Sequence, residues 1–198
     1  YKNFFLIEKF NEIYKKFNAR VYKLHTSNIN DRSVIECMKK LKNDFILFTG
    51  GGILKKEILS QGKKIIHIHP GILPYYRGST CFYYSILDNY SIGATAFIMN
   101  QNIDTGNIIM SKKFRINYFI LNEQKYFMDY VLDNYIRSNV LEIVLKFFRK
   151  QKYFKTKKNH ESWHPYYIAH PLIRHLAIKK INDSYNSKSK SGIFIIEK

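Results

Sequence analysis

Apolar residues along the chain change period several times, and each change marks an element. Over residues 3–18, Phe5, Leu6, Phe10, Ile13, Tyr14 and Phe17 recur at helical spacing and predict a first helix. Ala19 to His25 reads as a short strand carrying Val21 and Leu24. Asn30 or Asp31 can cap a helix bearing Val34, Ile35, Met38 and Leu41. Phe45-Ile46-Leu47-Phe48 is an unbroken apolar run ending in Thr49-Gly50-Gly51-Gly52. Such a run predicts a strand buried on both faces, as in a parallel sheet, and the glycines mark its turn into a helix over Ile53 to Leu59. Lys64 to His69 is the next strand and Thr80 to Leu87 the next helix. Ala94 to Met99 and Ile108 to Phe114 read as two strands joined by the loop Asn100 to Asn107. Asn122 to Gln151 predicts a long amphipathic helix with Phe127, Val131, Tyr135, Val140, Ile143, Val144, Phe147 and Phe148 as its core stripe. The chain turns polar over Lys155 to Asn159. A short helix near Ile173 to Lys180 follows, then a Ser-, Lys- and Asn-rich stretch at 182–191 expected to be flexible.

Strands and helices that alternate with short connections make an open α/β sheet, expected to be mostly parallel with flanking helices. Residues 1–154 would form this domain and residues 155–198 a short, partly flexible extension. Tyr1 stands where a start methionine would, which leaves room for a first strand upstream. Ligands of open α/β sheets sit beyond the carboxyl ends of the strands, where the glycine triplet and His67-Ile68-His69 both fall.

The chain has 198 residues, 45% of them hydrophobic, enough for one domain with its own core. No apolar run approaches the roughly 20 residues that span a bilayer, and the first residues lack a signal peptide's apolar stretch and cleavage site. The expectation is therefore a cytoplasmic protein without membrane attachment. Cys37 and Cys81 make no disulfide or zinc spacing and are read as reduced thiols. A net charge of +18 favours an anionic partner. Lysines are spread over the whole chain, with no arginine-rich cluster, zinc-finger spacing or aromatic RNA-binding signature, so nucleic acid is not the expected partner.

Residues two apart on a strand share a face, so His67 and His69 project together, their Cβ atoms about 7 Å apart. Pro70 cannot continue a strand ladder and breaks it directly after the second imidazole. Gly71 relieves the turn and Pro74 stiffens the loop beyond it. Arg77-Gly78 then offers a guanidinium and an open backbone suited to an anionic group. The Asp104-Thr105-Gly106 turn gains meaning only if it faces the histidines.

Residues 65–78, Ile-Ile-His-Ile-His-Pro-Gly-Ile-Leu-Pro-Tyr-Tyr-Arg-Gly, resemble the signature of the folate-dependent formyltransferases. That family includes methionyl-tRNA, glycinamide-ribonucleotide and amino-sugar N-formyltransferases. The resemblance continues through Gly93-Ala94-Thr95 and Ile103-Asp104-Thr105-Gly106-Asn107-Ile108-Ile109, in the family's order and spacing. It implies a Rossmann-like fold, N10-formyltetrahydrofolate as donor and a primary amine as acceptor. It also implies that His69 and Asp104 are the catalytic histidine and aspartate. Gly51, Gly52, Ile53 and Leu54, with Asn102, Ile103 and Thr105, would line the pterin pocket, while Pro70, Gly71, Tyr76, Arg77 and Gly78 would meet the acceptor.

One position departs from the pattern: His67 stands where the family has an asparagine that holds the formyl oxygen. Amine attack makes an oxyanion that needs a donor, and a base must take the amine's proton. With Asp104 beside it, His69 is expected to be the base, and a neutral His67 could donate to the oxyanion. Alternatives are a hydrolase or other one-carbon or acyl transferase on the same fold, a metal site built from His67, His69 and Asp104, and an inactive binding module. The tail after Lys155 is short for the barrel domain of the tRNA formyltransferases, which directs the expectation to a nucleotide-linked amino sugar and away from initiator tRNA. His164 and His170 are expected to be packing or turn residues.

Overall fold

The computed structural model describes residues 10–50, 52–117, 127–160, 164–186 and 194–197. Helix α1 (Phe10–Lys16) lies within the first predicted helix, whose Phe5 and Leu6 fall outside the described residues. Ala19 to His25 forms no strand; Val21 and Leu24 are 48% and 40% exposed, so neither has a face to bury. Helix α2 (Arg32–Lys40) is capped by Asp31, whose carboxylate accepts from Ser33 N, as expected of an N-cap aspartate.

Strand β1 (Phe45–Phe48) pairs parallel with β2 (Lys64–His69), and the one-turn helix α3 (Lys56–Leu59) makes the crossover. Helix α4 (Cys81–Asn89) then leads into β3 (Ser91–Ile98), which hairpins into β4 (Ile108–Asn117). A π-helical turn, Met128–Leu132, runs directly into α5 (Asp133–Gln151). Helix α6 (Pro171–Asn186) and β5 (Phe194–Glu197) complete the described chain.

The five strands lie in sequence order, an open α/β sheet as expected. Its pairing is mixed: only β1 and β2 are parallel, and β3, β4 and β5 each add antiparallel. For β3 and β4 the reason is the connection at residues 99–107, too short for a parallel crossover, which needs a dozen residues or more. Helix α6 continues to Asn186, so the first part of the stretch expected to be flexible is helical.

Helices cover both faces. Ile66 and Ile68 pack with α4, α5 and α6 in the larger core, built around Ile86, Ile136, Val140 and Ala177. On the other face Ile65 meets Met38, Leu54 and Ile58. The stripe expected for α5 is displaced. Val131, Val140 and Val144 are buried, but Phe147 is 53% exposed and Ile136, outside the expected stripe, is fully covered. Within α5 the covered face runs through Ile136, Val140 and Val144 at four-residue spacing, and Phe147 stands in the last turns of the helix.

The strand alternation points His67 and His69 away from the larger core. The short β3–β4 loop returns Asp104 toward them. Gly106 permits that return, because a Cβ there would lie 1.7 Å from Ile98 O, a carbonyl fixed in β3. Asp104 itself adopts the left-handed backbone, at φ 53°.

Candidate active site

His69 is 2% exposed, and both ring nitrogens face oxygen. Nε2 lies 2.8 Å from the Tyr76 carbonyl, and Nδ1 lies 3.4 Å from Asp104 Oδ2. A carbonyl only accepts, so Nε2 carries the proton there. A second proton on Nδ1 would lie against the carboxylate. Gly78 N donates to the same Asp104 oxygen at 2.8 Å, so the loop containing Arg77-Gly78 and the β3–β4 loop meet on one carboxylate.

The Pro70 to Pro74 loop is pinned from β3. Thr95, opposite His69 in the β2–β3 register and fully buried, donates through Oγ1 to Gly71 O at 2.7 Å and accepts from Leu73 N at 3.1 Å. Gly71 packs so closely under the site that a Cβ would stand 2.3 Å from Tyr76 O and 2.7 Å from His69 Nε2. Gly71→Ala therefore pushes apart the carbonyl and ring that define His69. It is expected to destabilise the fold by about 1–3 kcal/mol, seen as a lower urea midpoint with an unchanged m-value.

His67 is held differently. Its Nδ1 lies 2.9 Å from Phe48 O in β1, and its ring sits between those of Phe48 and Phe97. Burial pushes its pKa below the ordinary 6.5. The Phe48 carbonyl and the Asp104 charge oppose the shift, while His69 and Arg137 add to it. Because Nδ1 must donate to a carbonyl, the neutral ring presents Nε2 as a lone pair. The expected role of a neutral His67 as oxyanion donor therefore meets an obstacle: Nε2 has no proton to give until it acquires one.

The imidazoles and Asp104 line one cavity of about 300 Å³. Phe48, Ile53, Leu54, Phe97 and Met99 supply its apolar wall, and Asn100 to Asp104 its polar one. Of the expected lining, Gly52, Ile53, Leu54, Asn102 and Ile103 face this cavity, and Gly51 lies outside the described residues. Thr105 is buried instead and turns its hydroxyl inward to Asn100 Oδ1 at 2.8 Å. Pro70 and Gly78 line the cavity as well. Tyr76 does not: its ring is buried, its hydroxyl bonds Asp88, and only its carbonyl serves the site. Arg77 Nε is buried without a hydrogen-bond partner among the described residues.

Four contributions escaped the sequence reading. The carbonyls of Phe48 and Tyr76 carry no side-chain signal. Thr95 showed only as part of the family resemblance. Asn159, whose Nδ2 donates to Asp104 O at 2.9 Å, is 55 positions away in the chain. No group of three or more His, Cys, Asp or Glu side chains among the described residues is arranged to hold a metal ion. Cys37 and Cys81 are free, and burial raises the Cys81 thiol pKa far above its ordinary value.

Residues 8–129, more than half of the chain, match the formyl transferase family. The chain belongs to that family. Among curated relatives, the methionyl-tRNA formyltransferase of Finegoldia magna is 31% identical over 128 residues, covering 63% of this chain and 41% of the relative. That of Clostridium tetani is 38% identical over 90 residues, covering 44% and 29%. The chain thus spans less than half the length of these relatives. Among solved structures, the formyltransferase PseJ from Anoxybacillus kamchatkensis, in complex with UDP-4,6-dideoxy-4-formamido-L-AltNAc and tetrahydrofolate, superposes with a TM-score of 0.57 at 18% identity, covering 79% of this chain and 78% of that one. The methionyl-tRNA formyltransferase from Clostridium thermocellum gives 0.57 at 17%, covering 82% and 67%. Both have the formyltransferase Rossmann-like fold described above. In this family member, the histidine pair and Asp104 stand at the head of the cavity. No described helix is long and apolar enough to cross a membrane.

Proposed function

We propose that this formyl transferase family member moves a formyl group from N10-formyltetrahydrofolate to the primary amine of a nucleotide-linked amino sugar. The observation that carries the reading is the single cavity at which His67, His69 and Asp104 converge. Its volume and its walls, apolar on one side and amide-rich on the other, suit a flat heterocycle with hydrogen-bonding edges. Ile53, Leu54, Phe97 and Met99 would cover the pterin faces, and Asn100 to Asn102 would bond its edge. When bound, the folate supplies a formyl carbon activated on an aromatic amine nitrogen.

The chain's own residues divide the proton work. His67 Nε2 is the lone pair that takes the amine's proton as nitrogen attacks the carbonyl carbon. The ring then carries an N–H that can face the oxyanion, and the same proton passes to the departing nitrogen as the old C–N bond breaks. Asp104 favours the positive charge that His67 acquires, and His69, held against that carboxylate, completes the charged frame. Arg77 and the net charge of +18 suit the phosphates of the acceptor. A cytoplasmic setting goes with this reading, since both cysteines are free.

Aminoacyl-tRNA is the second reading of the acceptor, favoured by relatives such as those of Finegoldia magna and Clostridium tetani, both methionyl-tRNA formyltransferases. Incubating the protein with donor and either a panel of amino-sugar nucleotides or methionyl-tRNA separates the two. Tetrahydrofolate release with a formylated sugar nucleotide is the expected result. Formylation of methionyl-tRNA alone would replace the acceptor. No release with either, together with no folate binding by calorimetry, would overturn the function.

A further inference from the structure

Asp104 holds a backbone conformation that a residue with a side chain adopts only when its surroundings enforce it. Its φ of 53° is left-handed, and its cost is comparable to one good hydrogen bond. From this conformation the carboxylate faces His69 Nδ1 at 3.4 Å, while, two residues on, Gly106 passes so close to Ile98 that a Cβ would lie 1.7 Å from its carbonyl oxygen. The main-chain contact outside the loop that holds it comes from the far end of the sequence. Asn159, 7% exposed, donates from Nδ2 to the Asp104 carbonyl at 2.9 Å.

Main-chain contacts hold Lys157, two positions before Asn159, and Tyr166 further along the chain. Lys157 exchanges paired backbone hydrogen bonds with Ile108 at the start of β4, each 2.9 Å. Further on, Tyr166 N donates to Arg77 O at 2.7 Å, and Ser79 N donates to Tyr166 O at 2.9 Å. Those last contacts straddle Gly78, the residue whose N–H bonds the Asp104 carboxylate. Asn159 thus touches the Asp104 peptide carbonyl, and Tyr166, by way of Gly78, supports its side chain.

We propose that Asn159 is a positioning residue: its amide fixes the Asp104 peptide, and so aims the carboxylate at His69. The inference rests on the formyl-transfer reading for its kinetic consequence but not for its geometric one. Asn159→Leu is the informative substitution. It keeps the volume but leaves the Asp104 carbonyl without its amide donor, so some loss of stability accompanies the loss of positioning. Asn159→Ala serves as the second variant should the leucine side chain pack poorly.

In the leucine variant, kcat is expected to fall about 10- to 100-fold, the size of effect that a displaced catalytic group gives. KM for the donor should stay close to wild type, while the thermal midpoint falls modestly because the Asp104 carbonyl is left unpaired. Placed on an Asp104→Asn background, the same substitution should cost almost nothing further, since it acts through a charge already gone. Independently of activity, the ¹⁵N resonance of His69 Nδ1 should shift in the leucine and alanine variants, in the direction that Asp104→Asn shifts it. An unchanged kcat in an active protein, or losses that multiply fully with Asp104→Asn, would overturn the proposal. If the wild type formylates no acceptor, the functional reading fails and the resonance alone decides: a shift supports the positioning role, and its absence overturns it.

Discussion

Asp104→Asn is expected to lower kcat/KM for formyl transfer about 10³-fold while leaving the fold in place. Asparagine has the same shape, and its carbonyl oxygen can still accept from Gly78 N, which donates to Asp104 Oδ2 at 2.8 Å. The contact that joins the two loops therefore survives. What disappears is the negative charge 3.4 Å from His69 Nδ1, in a site where the two side chains are 3% and 13% exposed. Water screens such a charge poorly, so its loss is felt when positive charge develops on His67. A thousandfold loss corresponds to about 4 kcal/mol of transition-state stabilisation, more than an exposed ion pair supplies. Single-turnover rates measured alongside the thermal midpoint check this. A loss below about tenfold at unchanged stability would show that the carboxylate only supports the loop and takes no part in the charge chemistry.

The elements around this site were legible where a local pattern dictates them. The unbroken run Phe45 to Phe48 and the alternation through Lys64 to His69 gave β1 and β2 with the bounds found in the structure. Asp31 fixed the start of α2 because a cap is a local hydrogen bond. The direction of pairing between β2 and β3 was not legible, because the long connection over residues 70–90 permits either. It depends on which strand ends are close in space, and an apolar run reads alike in either direction. Phe147 is exposed and Ile136 covered because burial depends on how far along α5 its neighbours reach, which residue type and helical spacing do not give. In the site, the pairing of His67 and His69 on one strand face was readable from spacing, whereas the roles of His69 and Asp104 and the Ile53–Leu54 wall came from the family resemblance. The carbonyls that orient each imidazole were not readable, since every residue carries one. Tyr76 illustrates the difference: the resemblance placed it near the acceptor, yet it is its carbonyl that makes the contact.

His67 gives the sharpest test of how the reaction runs. Were it only a stand-in for an amide at that position, His67→Asn would raise formyl transfer. The geometry leads to the opposite expectation. With Nδ1 committed to Phe48 O at 2.9 Å, the neutral ring offers a lone pair to the cavity, and asparagine offers no base at all. His67→Asn should therefore reduce kcat/KM by about 10²-fold or more. The pH dependence carries the same sign. Burial first, then His69 and Arg137, hold the His67 pKa below 6.5 against the Phe48 carbonyl and Asp104. The base thus stays unprotonated as pH falls through 6.5, and the acidic limb of kcat/KM should lie below that value in wild type and be absent from the variant. Stability follows the same titration. Below pH 6.5 the unfolded chain binds the proton before the folded one does, so the fold loses stability as pH falls toward the depressed pKa, and His67→Asn should lose that part of the pH dependence. A variant more active than wild type, with the acidic limb still present, would return the base role to His69 and leave His67 as a donor that works only when protonated.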